Sequence, residues 1–143
     1  MKTRRGGLLL ALALLTAACG GYGSSGSATS SGTGASAVRP TSTGALEILA
    51  PKNGSSVTDP VTLRVKLTGA KLVPATTTNV VPDEGHLHVS LDGNLISMTS
   101  GLEEKLPAGL APGTHVLQVE FVASDHAPFD PRVIASSSFK VSG

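Results

Sequence analysis

Apolar and polar residues alternate one by one along several stretches of this chain, and this alternation limits its possible folds more than any other feature. In the clearest stretch an aliphatic residue occupies every second position: Val61, Leu63, Val65 and Leu67. Successive side chains of a β-strand point to opposite faces of a sheet, whereas a helix repeats its apolar positions every three or four residues. The alternation therefore predicts β-strands that bury one face.

The same pattern recurs through the C-terminal two-thirds of the chain and is interrupted by turn residues. It relates Leu46 to Ile48, and it predicts further strands at residues 85–91, 94–98, 114–122 and 134–141. The dipeptide Asp92-Gly93 is typical of a tight hairpin, and residues 51–60 are rich in turn-forming residues. Six or seven short strands without an amphipathic helix predict an all-β domain over residues 45–143. Its expected architecture is a small antiparallel immunoglobulin-like β-sandwich.

The first 18 residues have the order of regions that is typical of a secretory signal peptide. Residues 1–7 contain Lys2, Arg4 and Arg5 and no anion, and residues 8–18 form an uncharged run that ends in small residues. A membrane-spanning helix needs roughly 20 apolar residues, about twice the length of this run. We therefore expect residues 1–18 to be a cleaved signal peptide.

The residues around Cys19 resemble the lipobox of bacterial lipoproteins, in which an aliphatic residue and small residues precede a lipidated cysteine. Cys19 follows Leu15, Thr16, Ala17 and Ala18, and Thr16 stands where that family most often has leucine. The resemblance implies that Cys19 carries a diacylglyceryl group, and two or more acyl chains anchor a protein stably. The expected location is the cell membrane, with the protein lipid-anchored and facing outside the cytoplasm. Cys19 would then be an anchor without a catalytic role.

Residues 19–44 are predicted to be a flexible linker after the lipidated cysteine. Of the 25 residues from 20 to 44, 21 are Gly, Ser, Thr or Ala, a composition that cannot form a hydrophobic core. A coil of this length has an end-to-end distance of roughly 25–30 Å. The linker would therefore hold the folded domain away from the membrane surface.

Charge and cysteine content disfavour nucleic acid as a partner and exclude an intramolecular disulfide. Without Lys2, Arg4 and Arg5, the chain has eight basic residues against ten acidic ones, and it contains no basic cluster that could neutralise several phosphates. Nucleic acid is therefore not an expected partner. Cys19 is the only cysteine, so an intramolecular disulfide is excluded and the domain must be stabilised by its core.

Three motifs of the predicted domain resemble a bacterial family called domain of unknown function 4399. They are the sequence GHLH at residues 85–88, the sequence LAPGTH at 110–115, and the sequence DHAP at 125–128 with Pro131 following. That family is an extracytoplasmic module with a Gly-His-His-His strand, and it has no established activity. This sequence has Leu87 where the family has the middle histidine.

All the histidines of the chain lie in the predicted domain: His86, His88, His115 and His126. Outside the cytoplasm, imidazole groups are suitable ligands for copper or zinc. His86 and His88 lie two residues apart and so share one face of their strand. If that strand pairs antiparallel with residues 114–122, its start lies beside the end of its partner and His86 approaches His126. We predict that any metal site comprises His86, His88 and His126.

Two carboxylates and the remaining histidine complete this hypothesis. Glu120 and Asp125 are candidates for an oxygen ligand or a second-shell partner of the metal. His115 is excluded because it lies at the opposite end of its strand and faces the apolar side, where it would support a loop. The alternative interpretation is that His86 and His88 form a solvent-facing polar stripe and that His126 is an exposed loop residue.

The sequence leaves two functions open and disfavours a third. The first hypothesis is a binding or interaction module of the cell envelope, with a partner that the sequence does not identify. The alternative is an extracytoplasmic protein that binds copper or zinc. An enzyme is not expected, because the sequence has no nucleophile elbow and the adjacent Asp125 and His126 cannot form a triad by themselves.

Overall fold

The computed structural model describes residues 38–143, and every regular element in this range is a β-strand. In chain order the strands are β1 (Ala45–Ala50), β2 (Ser56–Val57), β3 (Thr62–Thr68), β4 (Lys71–Leu72), β5 (Glu84–Leu91), β6 (Asn94–Thr99), β7 (Glu103–Lys105), β8 (Gly113–Ala123) and β9 (Pro128–Val141). In this described range no helix is long and apolar enough to cross a membrane. The predicted signal peptide, Cys19 and most of the predicted linker lie outside the described residues.

The strands form two sheets. The smaller sheet has the order β1-β3-β7, and the larger has the order β2-β9-β8-β5, with β4 and β6 both pairing with the other edge of β5. The pairings are antiparallel except for two very short ones, β2 with β9 and β4 with β5. The domain is an immunoglobulin-like β-sandwich, as the strand pattern predicts.

The core lies between the two sheets and is built from the alternate residues that the sequence pattern marks as inward. Those with at most 4 % of their surface exposed include Leu63 and Val65 of β3, Leu87 and Val89 of β5, and Leu117, Val119 and Phe121 of β8. The rings of Phe121 and Phe129 stack with their centroids 5.0 Å apart. Full burial of one such side chain contributes about 1.5–3 kcal/mol, so this core can stabilise a domain that has no disulfide.

Strand β9 is longer than predicted, because it begins at Pro128 rather than at Ile134. Its pairing with β8 shifts abruptly between Phe121 and Val122, so several β9 residues bulge out of the ladder. Phe129 lies in this bulge and is buried in the core. Two prolines hide this half of the strand from a search for alternation, and β2, β4 and β7 are too short to show any period.

The predicted linker extended to residue 44, and the structure corrects this boundary. The backbone N–H of Thr43 donates to the Asp83 carboxylate over 2.6 Å. The backbone N–H of Asp130 donates to the Pro40 carbonyl over 3.0 Å. Hydrogen bonds to such distant residues leave no signal in a Gly/Ser/Thr/Ala-rich composition. The end of the predicted linker is therefore part of the folded domain.

Close contact between β5 and β8 makes Gly85 a sensitive position. A Cβ added to Gly85 would lie 1.9 Å from the Val122 carbonyl oxygen, a backbone atom that cannot move aside without disrupting the sheet. Overpacking costs about 1–3 kcal/mol or more, so Gly85→Ala should lower the thermal midpoint by roughly 10 °C or more. The matched variant Gly101→Ala meets nothing closer than 3.3 Å and should change the midpoint much less. Thermal unfolding followed by circular dichroism measures both, and equal midpoints would contradict the close approach.

Candidate metal centre

Strand β5 presents two histidines on the face that points away from the core. Leu87 and Val89 point inward, so His86 and His88 point outward together. Their Nε2 atoms are 3.2 Å apart. His86 is nevertheless fully buried, whereas His88 is partly exposed. The burial of His86 indicates that another element covers it.

That element is the turn between β8 and β9, which carries His126. Strand β8 pairs antiparallel with β5 and places Val122 opposite His86, so the turn after Ala123 folds back beside the His86 ring. The His126 ring packs edge-on against the His86 ring with centroids 4.5 Å apart. The predicted antiparallel pairing of these strands and the approach of His86 to His126 are therefore both present.

The backbone of His126 adopts a left-handed conformation, with φ at 62°. The turn is closed by hydrogen bonds from the His126 N–H to the Ala123 carbonyl, over 2.9 Å, and from the Ala123 N–H to the Ala127 carbonyl, over 3.0 Å. A non-glycine residue in this region costs on the order of 1–3 kcal/mol, although histidine is enriched there relative to most residues. The surrounding structure must hold His126 in this conformation.

The three ring nitrogens form a nearly equilateral triangle. The Nδ1 atom of His126 is 3.0 Å from Nε2 of His86 and 3.4 Å from Nε2 of His88, which completes the triangle with the 3.2 Å edge. An ion bonded at the Zn–N distance of about 2.0–2.1 Å would bind neighbouring nitrogens at angles of about 91–116°. These angles suit a tetrahedral ion with three protein ligands and a fourth position that is open to another ligand.

Burial and mutual repulsion keep the strand histidines neutral, which is the form that binds a metal. Burial, followed by the positive charges that His126 and His88 would carry, lowers the pKa of His86 to about 4. The pKa of His88 is also lowered, first by burial and then by His126, against a smaller opposite effect of the Glu120 carboxylate. At neutral pH both rings therefore have a lone pair to offer.

The other ring nitrogen of His86 is unusual. Its Nδ1 atom is buried and has no hydrogen-bond partner among residues 38–143. Histidines that bind metals usually donate this second N–H to a carbonyl or carboxylate, which fixes the tautomer. Here the packing of the ring, rather than a hydrogen bond, fixes its orientation.

Glu120, a predicted oxygen ligand or second-shell partner, lies beside the triangle but does not join it. It is opposite His88 in the β5–β8 register, so it is on the outward face as expected. Arg132 of β9 donates to both of its carboxylate oxygens, over 2.8 and 2.6 Å. Glu120 therefore acts on His88 through its charge, while its oxygens are bound by Arg132.

Asp125, the other predicted oxygen ligand or second-shell partner, is also bound elsewhere. The Arg39 guanidinium donates to both Asp125 oxygens, over 2.6 and 2.9 Å, and this hydrogen bonding lowers the pKa of Asp125 to about 2. The group whose ligand atoms lie within 4.8 Å of one another comprises His86, His88 and His126 alone among residues 38–143. The positions of the two carboxylates thus do not support the prediction of an oxygen ligand. Sequence reasoning missed Arg39 and Arg132, although Arg39 is the only charged residue between Cys19 and Gly44.

His115 lies outside the triangle, as predicted, and supports the loop before β8 and the β5–β6 hairpin. Its Nδ1 contacts the Asp92 carboxylate over 2.7 Å, and its Nε2–H donates to the Ala111 carbonyl over 2.9 Å. The Ala111 carbonyl, followed by Asp92, raises the pKa of His115. This is an environment for a protonated histidine, the opposite of the one around His86.

No family model matches the chain, so the family resemblance drawn from its motifs stays a prediction. No curated protein matches it. Among solved structures, the chain is similar to the fibronectin(III)-like modules of Clostridium thermocellum CbhA, with 14% sequence identity and a TM-score of 0.46. That match covers 68% of this chain and 46% of the other, so it spans less than half of the other chain.

The lowered pKa values predict that acid destabilises the metal-free domain. An unfolded histidine titrates near 6.5 and folded His86 near 4, so between these values the unfolded state binds more protons and stability falls as pH falls. We expect the thermal midpoint to decrease from pH 6.5 to pH 4, and His86→Leu to reduce this decrease.

The matched control for this measurement is His115→Gln. The pKa of His115 is raised, so its contribution is present below about 6.5 and is lost as pH rises above it. This variant should therefore keep the acid-side decrease. Thermal scans at several pH values in a chelating buffer measure both variants, and a wild-type midpoint that stays constant from pH 6.5 to pH 4 would show that His86 is not held neutral.

Proposed function

We propose that this domain binds a single copper or zinc ion through His86, His88 and His126. The observation that carries the proposal is the triangle of ring nitrogens with edges of 3.0, 3.2 and 3.4 Å. The two hypotheses from sequence are an interaction module and a metal-binding protein. The close approach of three histidine nitrogens favours the metal-binding protein.

Hydrogen bonds alone do not account for the triangle. Each contact between two ring nitrogens needs a proton on one nitrogen and a lone pair on the other. Three nitrogens that all contact one another cannot meet this requirement, because at least one pair must consist of two donors or two lone pairs. A cation bound by three lone pairs resolves the conflict at all three edges.

The chemistry of the ligands favours late first-row transition metals. Neutral imidazole suits copper and zinc, whereas magnesium and calcium require oxygen ligands. Both nearby carboxylates, Glu120 and Asp125, are bound by arginines. With equivalent ligands copper binds more tightly than zinc, so copper is the expected occupant where both metals are accessible.

The site is suited to exchange its ion rather than to bury it. His126 is exposed and His88 is partly exposed, so solvent and other molecules can reach the open side of the triangle. A site of this kind can take up an ion and pass it to a partner. We propose that the domain holds or transfers copper or zinc outside the cytoplasm, and that an envelope partner meets it at this face.

Metal titration tests the site directly. The full chain carrying Cys19→Ser, kept soluble in detergent, lacks the thiol that would compete for metal, and calorimetry with Cu²⁺ and Zn²⁺ reports its affinity. Loss of an outer-shell partner typically costs about 10–100-fold in affinity, so His86→Ala, His88→Ala and His126→Asn should each cost at least that much. Asparagine tolerates the left-handed backbone at position 126, so that variant should keep the fold.

His115→Ala is the control, because His115 is bound to Asp92 and Ala111 away from the triangle. Its affinity for metal should equal that of the wild type. Affinity should also weaken as pH falls, because protons compete for the same lone pairs. No binding at micromolar metal, or equal losses from all four variants, would refute the site.

The lipid anchor is a separate proposal that rests on the sequence around Cys19. We propose that Cys19 is lipidated and holds the domain at the membrane, outside the cytoplasm. Cys19→Ser should release the protein from the membrane fraction or leave its signal peptide uncleaved. Lipidation and cleavage of a lipoprotein signal peptide both require that sulfur. Metabolic labelling with a fatty-acid analogue is the measurement, and a soluble wild-type protein that takes up no label would refute the anchor.

A further inference from the structure

Arg39 lies in the segment before β1 and makes more side-chain hydrogen bonds than any other residue in the described part of the chain. Its Nη1 and Nη2 donate to the two oxygens of Asp125 over 2.6 and 2.9 Å. Its Nε donates to the Pro128 carbonyl over 2.9 Å, and Nη2 also donates to the Ala127 carbonyl over 3.1 Å. One guanidinium group thus binds two residues of the β8–β9 turn and the first residue of β9.

These three residues flank His126 on both sides. Asp125 precedes His126, and Ala127 and Pro128 follow it, so Arg39 binds the side chain before this candidate ligand and two backbone carbonyls after it. Asp125 also accepts a hydrogen bond from the Ala127 N–H over 3.2 Å. A second hydrogen bond attaches the segment around Arg39 to the start of β9: the Asp130 N–H donates to the Pro40 carbonyl over 3.0 Å.

The turn needs such support because His126 is held in a conformation that most residues avoid. Its φ is 62°, and its Nδ1 atom must also lie 3.0 Å from Nε2 of His86. If the turn were free to move, metal binding would have to order it, and the cost of ordering would weaken the affinity. A bidentate arginine–carboxylate pair is a strong and directional means of fixing a backbone.

We infer that Arg39 is a positioning residue for the metal site and that the docked segment around it is thermodynamically coupled to metal binding. This inference rests on the proposed function. Docking of the segment sets the position of His126 and so strengthens metal binding, and bound metal must stabilise docking by the same factor. The chain between the proposed anchor and the domain enters the fold at this segment, so a change in docking changes the affinity for metal.

Electrostatics alone makes the opposite prediction for Arg39. A cation near the site repels a metal ion, so replacing Arg39 with a neutral residue would strengthen binding if charge were its only effect. Positioning requires the same replacement to weaken binding. The sign of the change therefore separates the two roles.

The experiment measures Zn²⁺ and Cu²⁺ affinity in the full chain carrying Cys19→Ser, with Arg39→Gln, Arg39→Lys and Arg64→Gln compared. Loss of a residue that orients a ligand typically weakens metal binding about 10–100-fold, and we expect both Arg39 variants to show such a loss. Lysine keeps the charge but cannot form the two-pronged contact, so it should not restore the affinity. Arg64→Gln removes the ion pair with Glu103 on the other sheet and should leave the affinity unchanged.

A second measurement leaves Arg39 in place. Amide hydrogen exchange of Asp130, which donates to Pro40, should slow when Zn²⁺ is added to the otherwise unmodified Cys19→Ser chain and should not slow in His86→Ala. Two results would overturn the inference and leave the proposed site standing, provided that the Cys19→Ser chain binds metal. One is that Arg39→Gln binds metal as tightly as that chain or more tightly. The other is that the exchange rate of the Asp130 amide does not change when Zn²⁺ is added. No metal binding by that chain would overturn the proposed function and the inference together.

Discussion

The pairing of β5 with β8 is the interaction on which the rest of the candidate site depends. Its register places Gly85 opposite Ala123 and His86 opposite Val122, so the turn that follows β8 can only fold back beside the start of β5. A slip of one residue would exchange the two faces of β5 and move the histidines into the core. The absence of a side chain at Gly85, where a Cβ would meet the Val122 carbonyl at 1.9 Å, allows the strands to approach at this point.

The site also imposes a cost on the domain that carries it. His86 is a buried imidazole whose Nδ1 has no hydrogen-bond partner among residues 38–143, and an unsatisfied buried polar group costs about 1–3 kcal/mol. The left-handed backbone of His126 adds to this cost. The core beneath the sheet, with Phe121 stacked on Phe129, supplies the stability that offsets both. An unsatisfied buried nitrogen and a strained backbone both disfavour folding, and here they lie close together. Such a cluster is expected of a functional site rather than of a structural one.

Sequence reasoning succeeded where the signal is local or follows from topology. The alternation at residues 61–67 and 85–91 identified strands and their buried faces, and Asp92-Gly93 identified the hairpin, in which both residues have positive φ. The approach of His86 to His126 followed from a single assumption, the antiparallel pairing of the two strands. Each of these inferences uses only neighbours in the chain or the order of strands.

It failed where a contact joins residues that no local pattern relates. Arg39 and Asp125 are 86 residues apart, and the composition around Arg39 is that of a linker. Arg132 reaches Glu120 because the irregular β8–β9 pairing brings it there, and the prolines that accompany this irregularity also hide the start of β9. The two carboxylates therefore looked free in the sequence, although each is bound by an arginine in the fold.

The binding of both carboxylates by arginines affects which ions the proposed site would accept. With three neutral imidazoles as ligands, an ion keeps its full charge, which the Glu120 and Asp125 carboxylates would partly offset if they were not bound elsewhere. Arg132 and Arg39 neutralise them and hold their oxygens away from the triangle. Hard cations such as calcium and magnesium, which depend on carboxylate oxygens, therefore have no ligand to use, whereas copper and zinc bind well to nitrogen alone. In the proposed site the two arginines thus contribute to metal selectivity without touching the metal.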